Sequence, residues 1–190
     1  MAPLTPLPPP HDAPSLTATK ADPTRCTVAS LDKFADTRAQ YSLEVGSGSM
    51  TEALVDVSGC AEGFKGQDMT GKVLSGVDLS GADFSDSKLL QVEMSRAIAR
   101  GAILRGADLT DANAYGTDFR GADLAGANLE NAILSSALFG KDRDGKWANL
   151  EGTHFVGALM SSSDVGRICE NPTLLDVTKK SELGCRATRR

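Results

Sequence analysis

The chain has 190 residues, of which 41% are hydrophobic, 24% are charged and only 5% are aromatic. This length suggests one domain with a small appendage, and so few rings disfavour a core built on large aromatic side chains. The net charge of −5 disfavours nonspecific binding to nucleic acid. No run of apolar residues approaches the roughly 18 that a membrane-spanning helix needs.

The N-terminal segment, residues 1–25, contains most of the eight prolines and no apolar stretch of the kind found in a signal peptide. We predict a disordered or polyproline-like tail there. Residues 26–60 form the predicted N-terminal cap of the domain. Within this cap, residues 28–42 (VASLDKFADTRAQYS) place Leu31, Phe34, Ala35 and Arg38 at helical spacing, which predicts a short helix.

From residue 61 to about residue 165 the sequence repeats with a period of five. Sixteen consecutive units carry an apolar residue at their fourth position, from Phe64 to Phe139, and later units continue with Leu150, Phe155 and Met160. Helices and strands have periods of about 3.6 and 2 residues, so neither explains the pattern. A coil with flat sides and sharp corners explains it. In each five-residue unit the fourth residue and the small residue two positions before it would point inward, and the other three would face solvent.

The small inward position is usually alanine: Ala82, Ala102, Ala107, Ala112, Ala122, Ala127, Ala132 and Ala137. Glu62, Gln67 and Lys72 occupy this position in the first units. Because an unpaired charge cannot lie in a tight interior, the first coil is predicted to be irregular and covered at its end. Ala99 and Ala114 stand where a large residue is expected, so neighbouring side chains must fill the space.

The repeat breaks after Phe139 at KDRDGK, and Leu150 follows eleven residues later, which is two units plus one. The DRDG stretch lacks the other ligands of an EF-hand, so a solvated loop is favoured over a calcium site. The only tryptophan lies beside the break, where it is predicted to shield the repaired repeat. Irregular segments on rigid scaffolds often carry function, so we predict a partner contact here. Its residues are Lys141, Asp142, Arg143, Asp144 and Trp147.

Residues 166–190 form the predicted C-terminal helical cap. Asn171 followed by Pro172 is typical of a helix start, TLLDVTKKSEL can form the helix, and Gly184 suits its end. SSSDVGRIC predicts a shorter helical turn before it. Such a cap would cover the end of a repeating domain and hide its hydrogen-bonding edge.

The four cysteines lack the spacing of a zinc site; they are Cys26, Cys60, Cys169 and Cys185. Three pairings are possible. We favour Cys169 with Cys185, which would fasten the C-terminal cap, and then Cys26 with Cys60. Disulfides would imply an oxidising compartment, and four buried free thiols are the alternative.

No catalytic constellation emerges from the other polar residues. The aspartates recur at an outward position of the repeat, which is typical of a solvated face, and His154 has no evident partner for a triad. The sequence therefore predicts no enzymatic activity, no cofactor and no metal site.

The repeats resemble the pentapeptide-repeat family, whose consensus is A(D/N)LXX; GADLAGANLENAILSSALF, residues 121–139, matches it closely. The resemblance implies an all-β solenoid, namely a right-handed quadrilateral β-helix of about five coils with four units each. Reading the sequence in twenties then gives four internal columns. The columns are Phe64, Phe84, Leu104 and Leu124; Met69, Leu89, Leu109, Leu129 and Leu150; Leu74, Met94, Ala114, Leu134 and Phe155; and Leu79, Ala99, Phe119, Phe139 and Met160.

The segments on either side of the repeats, together with the break within them, resemble one branch of this family in particular. SSSDVGRICENPTLLDVTKKSELGC, after GKDRDGKWANL, and the N-terminal LDKFADTRAQYSLE resemble the thylakoid-lumen branch of the family, whose C-terminal helices are capped by a disulfide. This resemblance implies the chloroplast thylakoid lumen. We hypothesise a soluble, non-enzymatic binding or scaffold protein with a protein partner, such as the lumenal side of a photosystem complex. The 140–147 loop and the two capped ends are the expected contact surfaces.

A rival function comes from the same family, because some members are acidic rods that mimic DNA and protect gyrase. Residues 61–166 carry fifteen acidic and ten basic residues, so this stretch is only mildly acidic. Arg96, Arg100, Arg105 and Arg120 interrupt the acidic surface, and a cap closed by cysteines argues against a cytoplasmic DNA mimic. DNA mimicry is therefore the alternative rather than the main hypothesis, and no nucleic-acid partner is expected.

Overall fold

The structure is a computed structural model that describes residues 23–31, 57–175 and 181–185. Most of the predicted tail, residues 1–22, and most of the predicted helix over 28–42 lie outside the described residues. Pro23–Cys26 forms a short 3-10 helix and residues 28–31 are helical, so regular structure reaches back into the last residues of the predicted tail. No helix among the described residues has the length and apolar character needed to cross a bilayer.

Before the break, parallel backbone bridges join residues that lie 20 positions apart in the chain. One ladder of bridges runs through Asp68, Lys88, Asp108, Asn128 and His154, and three further ladders begin at Val73, Asp78 and Asp83. Because the ladders start five residues apart and each level takes twenty, every coil has four sides. Each bridge is a single residue flanked by turns, so the sides are short and the corners are tight. We call this coiled part, residues 57–160, the rod.

The interior of the rod holds one large and one small side chain per side. The large inward residues from Phe64 to Phe139 are at most 5% exposed, and the alanines beside them are also buried. Side chains of the same type stack on each other from one coil to the next. The ring centroids of Phe64 and Phe84 are 5.0 Å apart, and those of Phe119 and Phe139 are 5.2 Å apart. Ala99 and Ala114 are 0% exposed, and the space around Ala99 has essentially no volume for a water-sized sphere. Neighbouring side chains therefore do fill the gap, as predicted.

The internal columns predicted for Leu150, Phe155 and Met160 are wrong: each residue lies in the neighbouring column, one side of the coil away. Leu124 donates its backbone N–H to Asn149, just as Leu104 donates to Asp123 one coil earlier. Leu150 therefore follows Leu124 in the first column rather than Leu129 in the second. Phe155 and Met160 move in the same way, because the bridge step is here 26 residues instead of 20. The break inserts one whole unit plus one residue, not a single residue.

The rod also starts earlier than residue 61. The Val57 N–H donates to Asp78 at 2.9 Å, and the Cys60 carbonyl accepts from Asp83 at 2.9 Å, as inward residues of a coil do. Val57 and Cys60 are both buried, so they take the large and the small inward positions. Residues 61–63 are the irregular insertion before Phe64 resumes the repeat. Glu62 and Gln67 are exposed at this end and thus avoid the interior.

The C-terminal end is covered by an α-helix, Ser162–Cys169, which is longer than the predicted single turn. Ser161 and Asp164 form a reciprocal capping box at its start, which satisfies two of the free N–H groups there. Asn171 does not begin a helix within residues 171–175, which form a turn. Residues 176–180 of the second predicted helix lie outside the described residues.

Candidate functional site

The segment inserted at the break, residues 141–147, is a hairpin that leaves one corner of the rod. Lys141 and Trp147 form an antiparallel bridge, and the Ala148 N–H donates to the Gly140 carbonyl at 3.1 Å to close the base. The Asp142 carboxylate accepts from the N–H groups of Asp144 at 3.0 Å and Lys146 at 2.8 Å. The Asp142 carboxylate therefore holds the turn of the hairpin in place. The predicted solvated loop is thus a hydrogen-bonded hairpin. We refer to residues 141–147 as the hairpin.

Trp147 is half-buried at the point where the chain re-enters the wall. The Lys141 ammonium lies 5.3 Å from the centre of its ring, within the range of a cation–π contact. The next residue, Ala148, is 0% exposed and resumes the small inward position. Trp147 therefore lies at the junction between the hairpin and the repaired coil, and its shielding of the repaired repeat stays a prediction.

A cleft of about 250 Å³ lies between the hairpin and the C-terminal helix. We call it the corner cleft; its main lining residues are Arg120, Leu138, Lys141, Trp147, Arg167 and Glu170. Three of these side chains are cationic and one is anionic, in a protein whose net charge is −5. The corner cleft is thus a concavity whose lining side chains are more often cationic than anionic, with an aromatic wall.

The base of the corner cleft is fixed by a charge cluster on the side of the rod. The Asp118 carboxylate accepts from Arg100 Nε at 2.6 Å and from Arg120 Nη2 at 2.7 Å. Burial alone would raise the pKa of Asp118, but the hydrogen bonds from Arg120 and Arg100 outweigh it and lower the pKa to about 2. Asp118 thereby holds the Arg120 guanidinium in one orientation beside the cleft.

The lowered pKa of Asp118 predicts a specific acid sensitivity. A carboxylate whose pKa falls from about 3.9 on folding contributes stability above pH 4, and this contribution is lost as the pH falls toward 2. We expect Asp118→Asn to cost on the order of 1 to 2 kcal/mol at neutral pH, since the arginines are partly solvated. The deficit should vanish near pH 2 in urea unfolding. Asp144→Asn, at an exposed hairpin position, is the control, and parallel pH profiles of Asp118→Asn and wild type would contradict the assignment.

The hairpin rests on the corner of the coil beneath it at Gly121. A Cβ there would overlap the Asp142 carboxylate and come within 2.9 Å of its Cβ, and Gly121 has a φ of +68°. Gly126 has nearly the same φ, +67°, but a Cβ added at that position would meet nothing within 4 Å. Both Ala variants should lose roughly 1 kcal/mol to backbone strain.

Only Gly121→Ala should also displace the hairpin. We expect it to speed trypsin cleavage after Lys141, Arg143 and Lys146 several-fold relative to Gly126→Ala at matched thermal stability. Equal cleavage rates in the two variants would show that the hairpin does not dock on Gly121.

The C-terminal cap is tied to the rod by buried polar contacts. Asn171, 0% exposed, donates its Nδ2 to the carbonyls of Phe139 at 3.1 Å and Ala148 at 2.8 Å, on either side of the hairpin. Asp164 accepts from the Ser136 N–H at 3.2 Å and pairs with Arg167. The cap is therefore fixed to the rod on both sides of the hairpin.

Disulfides close both ends of the described chain. Cys169 and Cys185 are joined with their Cα atoms 5.7 Å apart, and Cys26 and Cys60 with theirs 5.5 Å apart. The first bond links the C-terminal helix to the following segment. The second links the 3-10 helix to the first inward positions of the rod, at the end away from the hairpin.

The structure brings together only part of the predicted contact set. Lys141 and Trp147 line the corner cleft, whereas Asp142, Arg143 and Asp144 lie elsewhere on the hairpin. Sequence reasoning missed Arg120 and Arg167. Arg120 lies twenty residues before Gly140, which places it one coil below the hairpin, so its position was readable from the repeat. Nothing in the repeat indicates that Arg167 should come close.

The described residues include no group of His, Cys, Asp and Glu side chains that could hold a metal ion. The corner cleft also lacks a histidine, a cysteine or a serine among its lining residues. What the arrangement offers chemically is a rigid, basic and aromatic surface suited to binding.

Comparison with known proteins agrees with the repeat. The family of pentapeptide repeats matches residues 64–98, 78–113 and 102–140, with eight copies. Similar solved structures include Rfr23, a pentapeptide repeat protein from the cyanobacterium Cyanothece 51142, at 31% identity over 50% of this chain and 60% of that chain, with a TM-score of 0.29. A pentapeptide repeat protein from the Arabidopsis thaliana thylakoid lumen shows 33% identity over 57% of this chain and 78% of that one, with a TM-score of 0.23.

QnrB1, a plasmid-mediated fluoroquinolone resistance protein, shows 21% identity over 54% of this chain and 52% of its own, with a TM-score of 0.36. This chain thus spans about half to three-fifths of the length of Rfr23 and QnrB1. No curated protein matches it. The matched repeats and the twenty-residue bridge spacing agree: the chain belongs to the pentapeptide-repeat family, and its repeats form a right-handed quadrilateral β-helix.

Proposed function

We propose that this protein is a non-enzymatic binding or scaffold module of the thylakoid lumen, and that it contacts a protein partner through the hairpin and the adjoining C-terminal cap. One observation supports the proposal: a hydrogen-bonded hairpin projects from the rod, and buried contacts from the cap fix the two rod residues that flank it, Phe139 and Ala148. A segment that only repaired the repeat would not need its two ends fixed in this way. Rigid presentation lowers the entropy cost of binding.

The interior of the rod supports a surface function, because close-packed side chains fill it and leave no room for a substrate. Among the described residues, the carboxyl groups with shifted pKa values are all shifted downward; they are Asp68, Asp83, Glu93, Asp118 and Asp164. Burial opposes the lowering of the pKa at each of them, but hydrogen-bond donors outweigh it. A general acid or base is instead tuned toward neutral pH, so these groups favour a structural role.

The two disulfides support an oxidising compartment, of which the thylakoid lumen is our proposal. Protein isolated under thiol-trapping conditions should alkylate at Cys26, Cys60, Cys169 and Cys185 only after reduction. Alkylation of Cys169 and Cys185 without reductant would contradict the proposed compartment.

The binding proposal is tested by affinity purification from thylakoid membranes and lumen with the full chain as bait. Replacing residues 141–147 with one glycine restores the 20-residue spacing and gives a matched bait without the hairpin. We expect the wild-type chain, but not this variant, to retain a specific lumenal protein, such as one on the lumenal side of a photosystem. Recovery of no lumenal protein, or equal recovery by both baits, would count against the proposal.

DNA mimicry is the alternative that the charge pattern supports less well. DNA carries one phosphate per about 3.4 Å of each strand. Along the ladders of bridged residues no two carboxylates occupy neighbouring levels, since Lys88, Ile98, Ile103 and Asn113 intervene. Levels are about 4.8 Å apart, so acidic groups recur only every 10 Å or so. Inhibition of DNA gyrase supercoiling by the purified protein would favour this alternative instead.

A further inference from the structure

We propose that the corner cleft binds an acidic, extended peptide segment of the partner protein, with a carboxylate side chain placed among Arg120, Lys141 and Arg167. This inference rests on the proposed function and names the chemistry of the partner at that same surface.

The charges of the lining side chains favour an acidic ligand. Arg120, Lys141 and Arg167 line the cleft, and Glu170 is the one carboxylate among the lining residues. Asp118 and Asp164 pair with Arg120 and Arg167 from outside the cleft and offset part of this charge, so the surface presented to a ligand is cationic although the whole chain has a net charge of −5. Complementary charge at such a site steers an acidic segment and rejects a basic one.

The two arginines of the cleft are already held in place before a ligand binds. Two N–H groups of Arg120 are already bonded to Asp118, Nε at 2.8 Å and Nη2 at 2.7 Å, so the fork is fixed in place. A guanidinium has five N–H donors, so others remain to reach a carboxylate. Arg167 is likewise paired with Asp164, and its side chain is 57% exposed. Side chains that are already ordered lose less entropy when a ligand binds.

The volume of the cleft also favours a peptide side chain. Sites for cofactors and drug-sized ligands occupy about 300–1,000 Å³. The corner cleft holds about 250 Å³, which suits one or two anchoring side chains of a peptide rather than a whole small molecule. Trp147 and Leu138 supply an apolar wall for a side chain that flanks the carboxylate. An acidic segment with interspersed apolar residues fits both features.

Trp147 makes the test direct, because it is the only tryptophan of the chain and lies in the cleft. The full-length protein is titrated with a pool of short blocked peptides, the acidic pool, which carry Asp or Glu at every second position and Leu, Phe, Ala or Gly between them. Matched pools carry Lys or Arg, or Gln or Asn, at the same positions. We expect a saturable change in Trp147 fluorescence with the acidic pool alone, weakened at least about tenfold when NaCl rises from about 0.05 to about 0.5 M.

Lys141→Glu is the site variant and Lys146→Glu the control, since both change the same charge on the same hairpin but only Lys141 lines the cleft. We expect Lys141→Glu to weaken binding of the acidic pool at least about tenfold and Lys146→Glu less than about threefold. No signal with the acidic pool, equal signals from the three pools, or equal effects of the two variants would overturn the inference. The same signal from sodium phosphate alone would mean a small-anion site and would also overturn it.

This inference and the proposed function can fail separately. If the wild-type bait captures a lumenal partner and the Lys141→Glu bait captures it equally well, the binding function stands and the acidic-peptide inference fails. If acidic peptides bind as expected but no lumenal partner is captured, the site stands and the proposed function fails.

Discussion

Leu109→Asp should abolish the folded state. Leu109 is 0% exposed and lies on an inner level of its column, between Leu89 and Leu129. Truncating a buried leucine costs about 2–5 kcal/mol, and an unpaired carboxylate in the same apolar space costs several more. This sum reaches the whole stability of an ordinary domain, about 5–15 kcal/mol. Circular dichroism should show no cooperative melting transition.

Ile133→Asp is the matched control for this prediction. Ile133 lies on the outer surface of the same rod and is 37% exposed, so an aspartate there remains solvated. We expect its free energy of unfolding to change by less than about 1 kcal/mol. A Leu109→Asp protein that melts like the wild type, or an Ile133→Asp protein that fails to fold, would refute the assignment of inner and outer faces.

Asn171→Asp should release the C-terminal cap. The substitution keeps the shape of the side chain, but it removes the donor that serves the Phe139 and Ala148 carbonyls and places a negative charge against them. The Ala148 carbonyl keeps the Thr173 hydroxyl as a donor at 3.1 Å, but the Phe139 carbonyl loses its donor. A buried carbonyl left without a donor costs about 1–3 kcal/mol, and the charge adds to this. We therefore expect a loss of about 2 kcal/mol or more in urea unfolding.

Asn128→Asp is the control for the cap. Asn128 donates its Nδ2 to the Thr110 hydroxyl at 3.0 Å on the surface of the rod, where water can replace the lost bond. Its substitution should cost less than about 1 kcal/mol. If Asn171→Asp is as mild as Asn128→Asp, the cap is not held by the Asn171 contacts.

The inward and outward faces were predictable from the sequence because the repeat is sterically strict. A coil interior this narrow admits one large and one small side chain per side, so Leu109 and Ala107 can be placed by counting in fives. The path through the break was not predictable. Eleven residues from Phe139 to Leu150 fit both one extra residue and one extra unit plus a residue. The pairing between coils, in which the Leu124 N–H donates to the Asn149 carbonyl and the bridges step by 26 residues, decides between them.

The candidate site was likewise predictable from the sequence only in part. Lys141 and Trp147 were found because they interrupt a regular pattern. Arg167 comes from a helix beyond the repeats, and its approach to the corner cleft depends on how the cap folds back, which periodicity does not encode. The early start of the rod at Val57 was hidden in the same way, since the extra residues before Phe64 shift the phase.

The step of 26 residues at the break leaves the pairing of the following sides intact: Asn149, His154 and Leu159 still bridge to the coil below. A corner of this rod can therefore accept foreign sequence without disturbing the hydrogen bonding on either flank. The Gly140–Ala148 junction is accordingly a suitable graft point for displaying other peptides, and hairpins of different lengths exchanged there should leave the stability of the coils nearly constant.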